Sequence, residues 1–481
     1  MKTIYNTLLE YREQDICPMH MPGHKRNSSG IDANLPFAID ITEINGFDNL
    51  HDPEGIIKQS QDLAATLYHS EHTFYLVNGS TCGILAGVRA VVKPGDKIIM
   101  SRNAHKSVYH AVELNELNPV YLIPKLDEEF GIYGSQEVEE VKEMIQSNLD
   151  AKLIILTSPS YEGVISDIKS ITEIAHFYQI PVLVDEAHGA HLGFSNLFCG
   201  SAVAAGADIV INSIHKTLPA LTQTALCHVN GKLVSANEVK RQLSIFETSS
   251  PSYVLLASID ACIHLLANEG KKLFNEYDEN LKFFSNRMIG LKNLKILNYG
   301  DNKLEEHKNI HLFDKGKLII SSKGTKLTGN DLALRLREEY NIELEMAYSD
   351  YAIAMTSIFD TKDNFILLSN ALLEIDSEPL MIKSNIENDC NLVFKFPFPK
   401  SIMSIHQAMK EEYEERLLED SVGRISREYV YFYPPGIPIL VPGEQIDMDF
   451  IQFLKRMMEM NIMPKSSSGK IESTIEVIKV T

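Results

Sequence analysis

The sequence predicts an α/β fold, with a mostly parallel sheet in a large domain and a smaller α+β region at the C-terminal end. Three observations predict it. Short apolar, β-branched runs recur as far as Asn212, they lack strict alternation, and helical stretches separate them. Strands covered on both faces read as unbroken apolar runs, and strand–helix alternation builds parallel sheets. With 481 residues, 44% hydrophobic and 23% charged, the chain can fill two or three ordinary cores.

In chain order, residues 1–45 read as an N-terminal arm and residues 46–290 as the large domain. Its strands are 73–77, 97–100, 153–157, 181–185 and 209–212. Residues 251–290 have long helical character and lead out of that domain. Residues 291–481 form the C-terminal α+β region, with a strand at 318–321 and elements near 329–340 and 366–373. Residues 410–420 read as a charged helix with a solvated face. Residues 431–444, rich in Pro and Gly, read as rigid loop.

Charge and cysteine usage exclude several classes. Lys plus Arg number 45 and Asp plus Glu 65, a net charge of −20. Binding to a nucleic-acid backbone relies on Lys and Arg, so no nucleic-acid partner is expected; an acidic surface suits a cationic small molecule. The first 18 residues hold no apolar leader run, and no long uncharged apolar run predicts a membrane span. Cys17, Cys82, Cys199, Cys227, Cys262 and Cys390 are scattered. That spacing predicts no disulfide framework and fits a reducing cytoplasm.

Each strand ends in polar residues, and open α/β sheets bind ligands beyond the carboxyl ends of their strands. Lys216 follows the run 209–212. Desolvation lowers the pKa of an amine and makes it a nucleophile toward a carbonyl. The matching use is a Schiff base with an aldehyde cofactor, pyridoxal phosphate; the alternative is a lysine turned to solvent. Asp185 ends another apolar run and could pair with the pyridinium nitrogen of such a cofactor, or cap the next helix. Residues 78–83 offer glycines, hydroxyls and backbone amides for a phosphate, or a helix N-cap. His105 could stack on a flat ring, or be a loop histidine.

Asp185, Glu186, Ala187 and His188 spell a helicase motif, but every Gly-Lys pair here is followed by Leu, Lys or Ile, so the required phosphate loop is missing. No metal site is expected.

Together these residues resemble the bacterial ornithine/lysine/arginine decarboxylases, pyridoxal-phosphate enzymes with the aspartate-aminotransferase fold (fold type I). The matching segments are 21–25, 50–55, 77–81, 102–107, 158–163, 185–191, 213–223, 250–253 and 434–438, in family order over nearly the whole chain. The resemblance implies that Lys216 carries the cofactor, Asp185 pairs with its ring nitrogen, and His105 and Ala187 flank the ring. It further implies that His188 lies near the ring hydroxyl and substrate carboxylate. Ser80, Thr81, Ser213 and His215 would hold the phosphate, with Thr248 or Ser249 donated across a dimer interface. Long members carry an extra domain before the 21–25 segment. Its early position here implies a short, arginine decarboxylase-like form, a homodimer with a shared active site and a place in polyamine biosynthesis. Asp52, Glu54 and Glu444 are acidic candidates for the cationic tail of a basic amino acid. An aminotransferase of the same fold and a non-catalytic pyridoxal-binding regulator are the alternatives.

Overall fold

The computed structural model describes residues 2–14, 19, 21–22, 24–27, 35–378, 396–433, 436–460 and 462–479. Gly23, Pro434, Pro435, Cys17 and Cys390 lie outside the described residues. The chain groups into two compact units, one of residues 1–91, 168–278 and 357–359, the other of residues 92–167, 279–356 and 360–481.

In the first unit the strand His72–Leu76 pairs antiparallel with Ala225–Val229, which pairs antiparallel with Ile209–Asn212. Ile209–Asn212 then pairs parallel with Val182–Asp185. Two successive reversals leave His72–Leu76 running in the same direction as Ile209–Asn212 and Val182–Asp185. All three strands therefore end at one edge, and Ala225–Val229 is the reversed member. The run 182–185 is buried throughout, as are 209–212 and 225–229, which explains why these strands show no period-two pattern.

The helix Gly79–Val91 covers these strands at close range. A Cβ added at Gly83 would stand 2.7 Å from Leu76 Cδ1 and 3.1 Å from Ile211 Cδ1. Glycine at this position lets the helix sit directly on the strands.

In the second unit Lys97–Ser101 pairs parallel with both Asn118–Leu122 and Ile154–Thr157. A separate antiparallel sheet has the order Lys295–Ile296, Lys317–Ser321, Tyr351–Met355, Met346–Ala347. The helices Gly329–Tyr340 and Lys362–Asp376 accompany it in sequence. The first begins at a capping box: the Thr328 hydroxyl accepts from the Asp331 amide, and the Asp331 carboxylate accepts from the Thr328 amide. The helix Tyr253–Arg287 fulfils the long helical pattern expected at 251–290.

Two expectations need correction. Residues 410–420 are not one helix. The helix Ile405–Lys410 stops, and Tyr413–Leu417 forms a strand against Thr474–Ile478 before a 3-10 turn at Leu418–Ser421. The charges are used across strands: Lys470 and Thr474 reach Glu415, while Arg424 reaches Glu414. Buried Ile475 and Val477 on the partner strand supply the apolar cover that the charged run lacks. The loop at 431–444 likewise contains the strand Pro438–Leu440, paired with Val430–Tyr431.

Candidate active site

The first unit gathers its candidate residues at one strand edge. Asp185 is the last residue of its strand and is in register with Ile211, so residues 213–216 emerge beside it. Asp185 is buried, and its Oδ1 accepts from the Ala187 amide at 3.2 Å. Burial pushes its carboxyl above the usual range; the Lys216 ammonium and the Ala187 amide act in the opposite sense. Lys216 Nζ lies 3.1 Å from His188 Nε2. An amine, an imidazole and a buried acid therefore meet at the carboxyl ends of two parallel strands.

His215 Nδ1 lies 2.9 Å from the Thr224 carbonyl oxygen, which fixes this nitrogen as the donor. Burial holds the His215 pKa below the ordinary imidazole value; the Thr224 carbonyl partly opposes this, and the Lys216 charge adds to it. Ser213 is fully buried, and its Oγ has no hydrogen-bond partner among the described residues. A buried hydroxyl left in this way is costly unless a further group satisfies it.

The third part of the edge is the turn after His72–Leu76. Gly79 has φ of 75°, a left-handed conformation that suits glycine. Its amide donates to the Gln223 carbonyl at 2.9 Å. Ser80 and Thr81 follow in the first helical turn, where amides have no intrahelical acceptor; Thr81 is exposed and Ser80 half-buried. A helix start of this kind is a ready anion site. The orphaned Ser213 hydroxyl, the helix start and the Lys216–Asp185 pair fit a phosphorylated aldehyde with a basic ring nitrogen.

Thr248 and Ser249 are exposed just beyond the helix Ala236–Phe246. The Thr248 carbonyl oxygen lies 2.8 Å from His51 Nε2. Asp52 is exposed and paired with Lys240 at 2.9 Å, and Glu54 is exposed.

His105 belongs to the second unit. It caps the helix Lys106–Leu114 by accepting from the Ser107 amide. Its ring lies against Gly436, where an added Cβ would stand 3.2 Å from Nε2. Glu444 also lies in the second unit and is committed there. It is 1% exposed and accepts from Arg102 Nη2 at 3.1 and 3.0 Å and from the Val441 amide at 2.9 Å. Its charge is spent on Arg102, so it is not retained as a tail-binding candidate. Sequence reasoning missed this pairing because the partners stand more than three hundred positions apart. It also passed over Glu186 and Glu247, two buried carboxyls that burial raises to about 8 and about 7. Their position next to Asp185 and Thr248 was the available signal. Among the described residues no cluster of His, Cys, Asp and Glu could hold a metal.

Known proteins are similar to this sequence over nearly its whole length. Residues 3–319 match the Orn/Lys/Arg decarboxylase major domain, and residues 390–464 match the Orn/Lys/Arg decarboxylase C-terminal domain. An arginine decarboxylase from Bacillus subtilis is 35% identical, with 99% of this chain and 97% of that protein aligned. The constitutive lysine decarboxylase of Escherichia coli is 24% identical over 92% of this chain and 74% of that protein. Among solved structures, the Francisella novicida lysine decarboxylase LdcF superposes with a TM-score of 0.85 at 19% identity, covering 99% of this chain and 81% of that one. The α/β architecture with its mostly parallel strands is thus that of the pyridoxal-phosphate enzymes of fold type I.

Proposed function

The chain belongs to the Orn/Lys/Arg decarboxylase family and is a decarboxylase of basic amino acids; from that premise we propose that its substrate is arginine, converted to agmatine and carbon dioxide. The greater identity to the arginine decarboxylase than to the lysine decarboxylase supports arginine over lysine. One observation carries the assignment of the site: Lys216 Nζ lies 3.1 Å from His188 Nε2 at the strand edge where the buried Asp185 also ends.

Pyridoxal phosphate, when bound, supplies an aldehyde and an electron-accepting ring. Lys216 offers the amine that would hold it, with His188 at hand to accept a proton from that amine. Asp185 would hold a proton at the ring nitrogen. Desolvation opposes its ionisation, so the positive charge of Lys216 and the Ala187 amide matter for keeping the carboxylate available. The first-turn amides and hydroxyls of Ser80 and Thr81, with the Ser213 hydroxyl, would hold the phosphate. His215, whose Nδ1 proton rests on the Thr224 carbonyl, would join them at the phosphate, and a proton would return to the substrate carbon from Lys216 or His215. Ala187 would lie against one face of the ring. Asp52 and Glu54 are the remaining acidic candidates for the guanidinium end.

The reading extends to a homodimer. Thr248 and Ser249 are exposed, which supports their serving the site of a second copy. Cys82, Cys199, Cys227 and Cys262 are free thiols, in keeping with a cytoplasmic enzyme. Agmatine formation would place it in polyamine biosynthesis. The test is carbon dioxide and amine release from arginine, lysine and ornithine with added pyridoxal phosphate. Arginine should be turned over fastest; faster lysine or ornithine turnover would reassign the substrate, and release from none would overturn the proposal.

A further inference from the structure

Glu247 is the C-cap of the helix Ala236–Phe246, its amide donating to the Leu243 carbonyl at 2.9 Å. The helix end aims its side chain inward, and only 7% of the residue is exposed. There Oε1 accepts from the Val77 amide at 2.7 Å, and the Cys82 thiol nearby donates to the Gly79 carbonyl at 3.1 Å. Return bonding comes from the next residue, whose amide donates to Asn78 Oδ1 at 3.5 Å. The opposite side of the same turn is held by Gln223, whose Nε2 donates to the Val77 carbonyl at 2.7 Å. Gln223 has φ of 85°, unusual for a residue with a side chain. Two side chains thus occupy the amide and the carbonyl of Val77, and the Gln223 carbonyl occupies the Gly79 amide. The amides of Ser80 and Thr81 stand in the first turn of the helix Gly79–Val91, where no intrahelical acceptor exists.

We propose that Glu247 is a positioning residue for the cofactor phosphate: it holds the Val77 amide inward so that the turn presents Ser80 and Thr81 to the anion. The carboxylate itself is unsuited to touch a phosphate, because like charges repel. Its work is done from behind the turn, through hydrogen-bond reach. This inference rests on the pyridoxal-phosphate reading of the site.

The test is equilibrium dialysis of pyridoxal phosphate against the full chain stripped of cofactor, in the parent and three variants. Glu247→Gln keeps an acceptor at the same reach. Glu247→Asp keeps the charge but withdraws it by about 1.5 Å, one bond length. Glu247→Ala removes both. The expected result is a Kd within about threefold of the parent for Gln, and weakened about tenfold or more for Asp and Ala, the size of one strong hydrogen bond lost. Should the Ala variant fail to fold, the Asp and Gln variants decide alone. Parent-like binding by Asp, with weak binding by Gln, would show that charge and not reach matters and would overturn the inference. So would equal binding by all variants. A parent that binds no pyridoxal phosphate would overturn the functional reading and the inference with it.

Discussion

Removing the Glu444 carboxylate separates an interior counter-ion from a substrate anchor. Glu444 and Arg102 are each 1% exposed, and the carboxylate takes two contacts from Arg102 and one from the Val441 amide. Glu444→Ala strands a buried guanidinium and a buried amide. Breaking one side of such a pair costs about 3–5 kcal/mol. Arg102 keeps the Tyr109 hydroxyl at 2.9 Å, the Pro438 carbonyl at 2.7 Å and the Phe398 ring at 4.8 Å. These contacts hold the loss toward the lower end, roughly 3 kcal/mol. At about 2–4 °C per kcal/mol for a unit of this size, the melting midpoint should fall by roughly 6–12 °C. Calorimetry at one fixed scan rate is the assay, because irreversible unfolding makes midpoints rate-dependent. The KM for the amino acid, measured well below the new midpoint, should stay unchanged. The paired variant Arg102→Met with Glu444→Leu should recover part of the loss, since no uncompensated charge remains. A Glu444→Ala protein that melts within about 1 °C of the parent and shows a tenfold higher KM would refute the reasoning and return Glu444 to the substrate.

Lys216→Ala should lose decarboxylation by at least about a thousandfold and lose the visible absorbance that borohydride traps at that lysine. Asp185→Asn should retain pyridoxal phosphate in equilibrium dialysis yet lower kcat by about a hundredfold or more, because a neutral amide no longer holds the ring-nitrogen proton. Burial raises the Glu186 carboxyl from 4.5 to about 8, against hydrogen bonds from the Ala202 amide and the Asn212 side chain. Between those values the folded chain keeps a proton the unfolded chain has lost, so this group makes stability fall as pH rises, by at most about 1.4 kcal/mol per pH unit. Melting midpoints of the cofactor-free protein from pH 5 to 8 should show that decline, and Glu186→Gln should flatten it.

The strands at the site were legible because burial on both faces leaves apolar runs that nothing on the surface imitates. Val182–Asp185 and Ile209–Asn212 are buried at every position, and their polar ends followed directly. The strand Tyr413–Leu417 was not legible. It is mostly exposed, so its charges answer to a partner strand about sixty residues away, and a charge pattern read locally looks like a helix face. Local reading is sound where a segment's own burial dictates its pattern and unsound where a distant partner does.

The same distinction runs through the site. Lys216 and Asp185 could be singled out because each is a charged residue placed where an apolar strand stops, a conflict visible within ten residues of sequence. Glu444 shows no such conflict locally; its meaning lies in Arg102, which a different strand end supplies. Glu247 is intermediate. It looks like one more acid in a polar stretch, yet the helix that ends at Phe246 turns it onto the Val77 amide, at the turn that leads into the helix Gly79–Val91. A carboxylate within bonding distance of the Val77 amide competes for a donor an anion would use, and that competition bears on which amides remain for the anion. Selectivity of the turn for phosphate would then depend on a residue that never meets it, and only the folded backbone reveals that dependence.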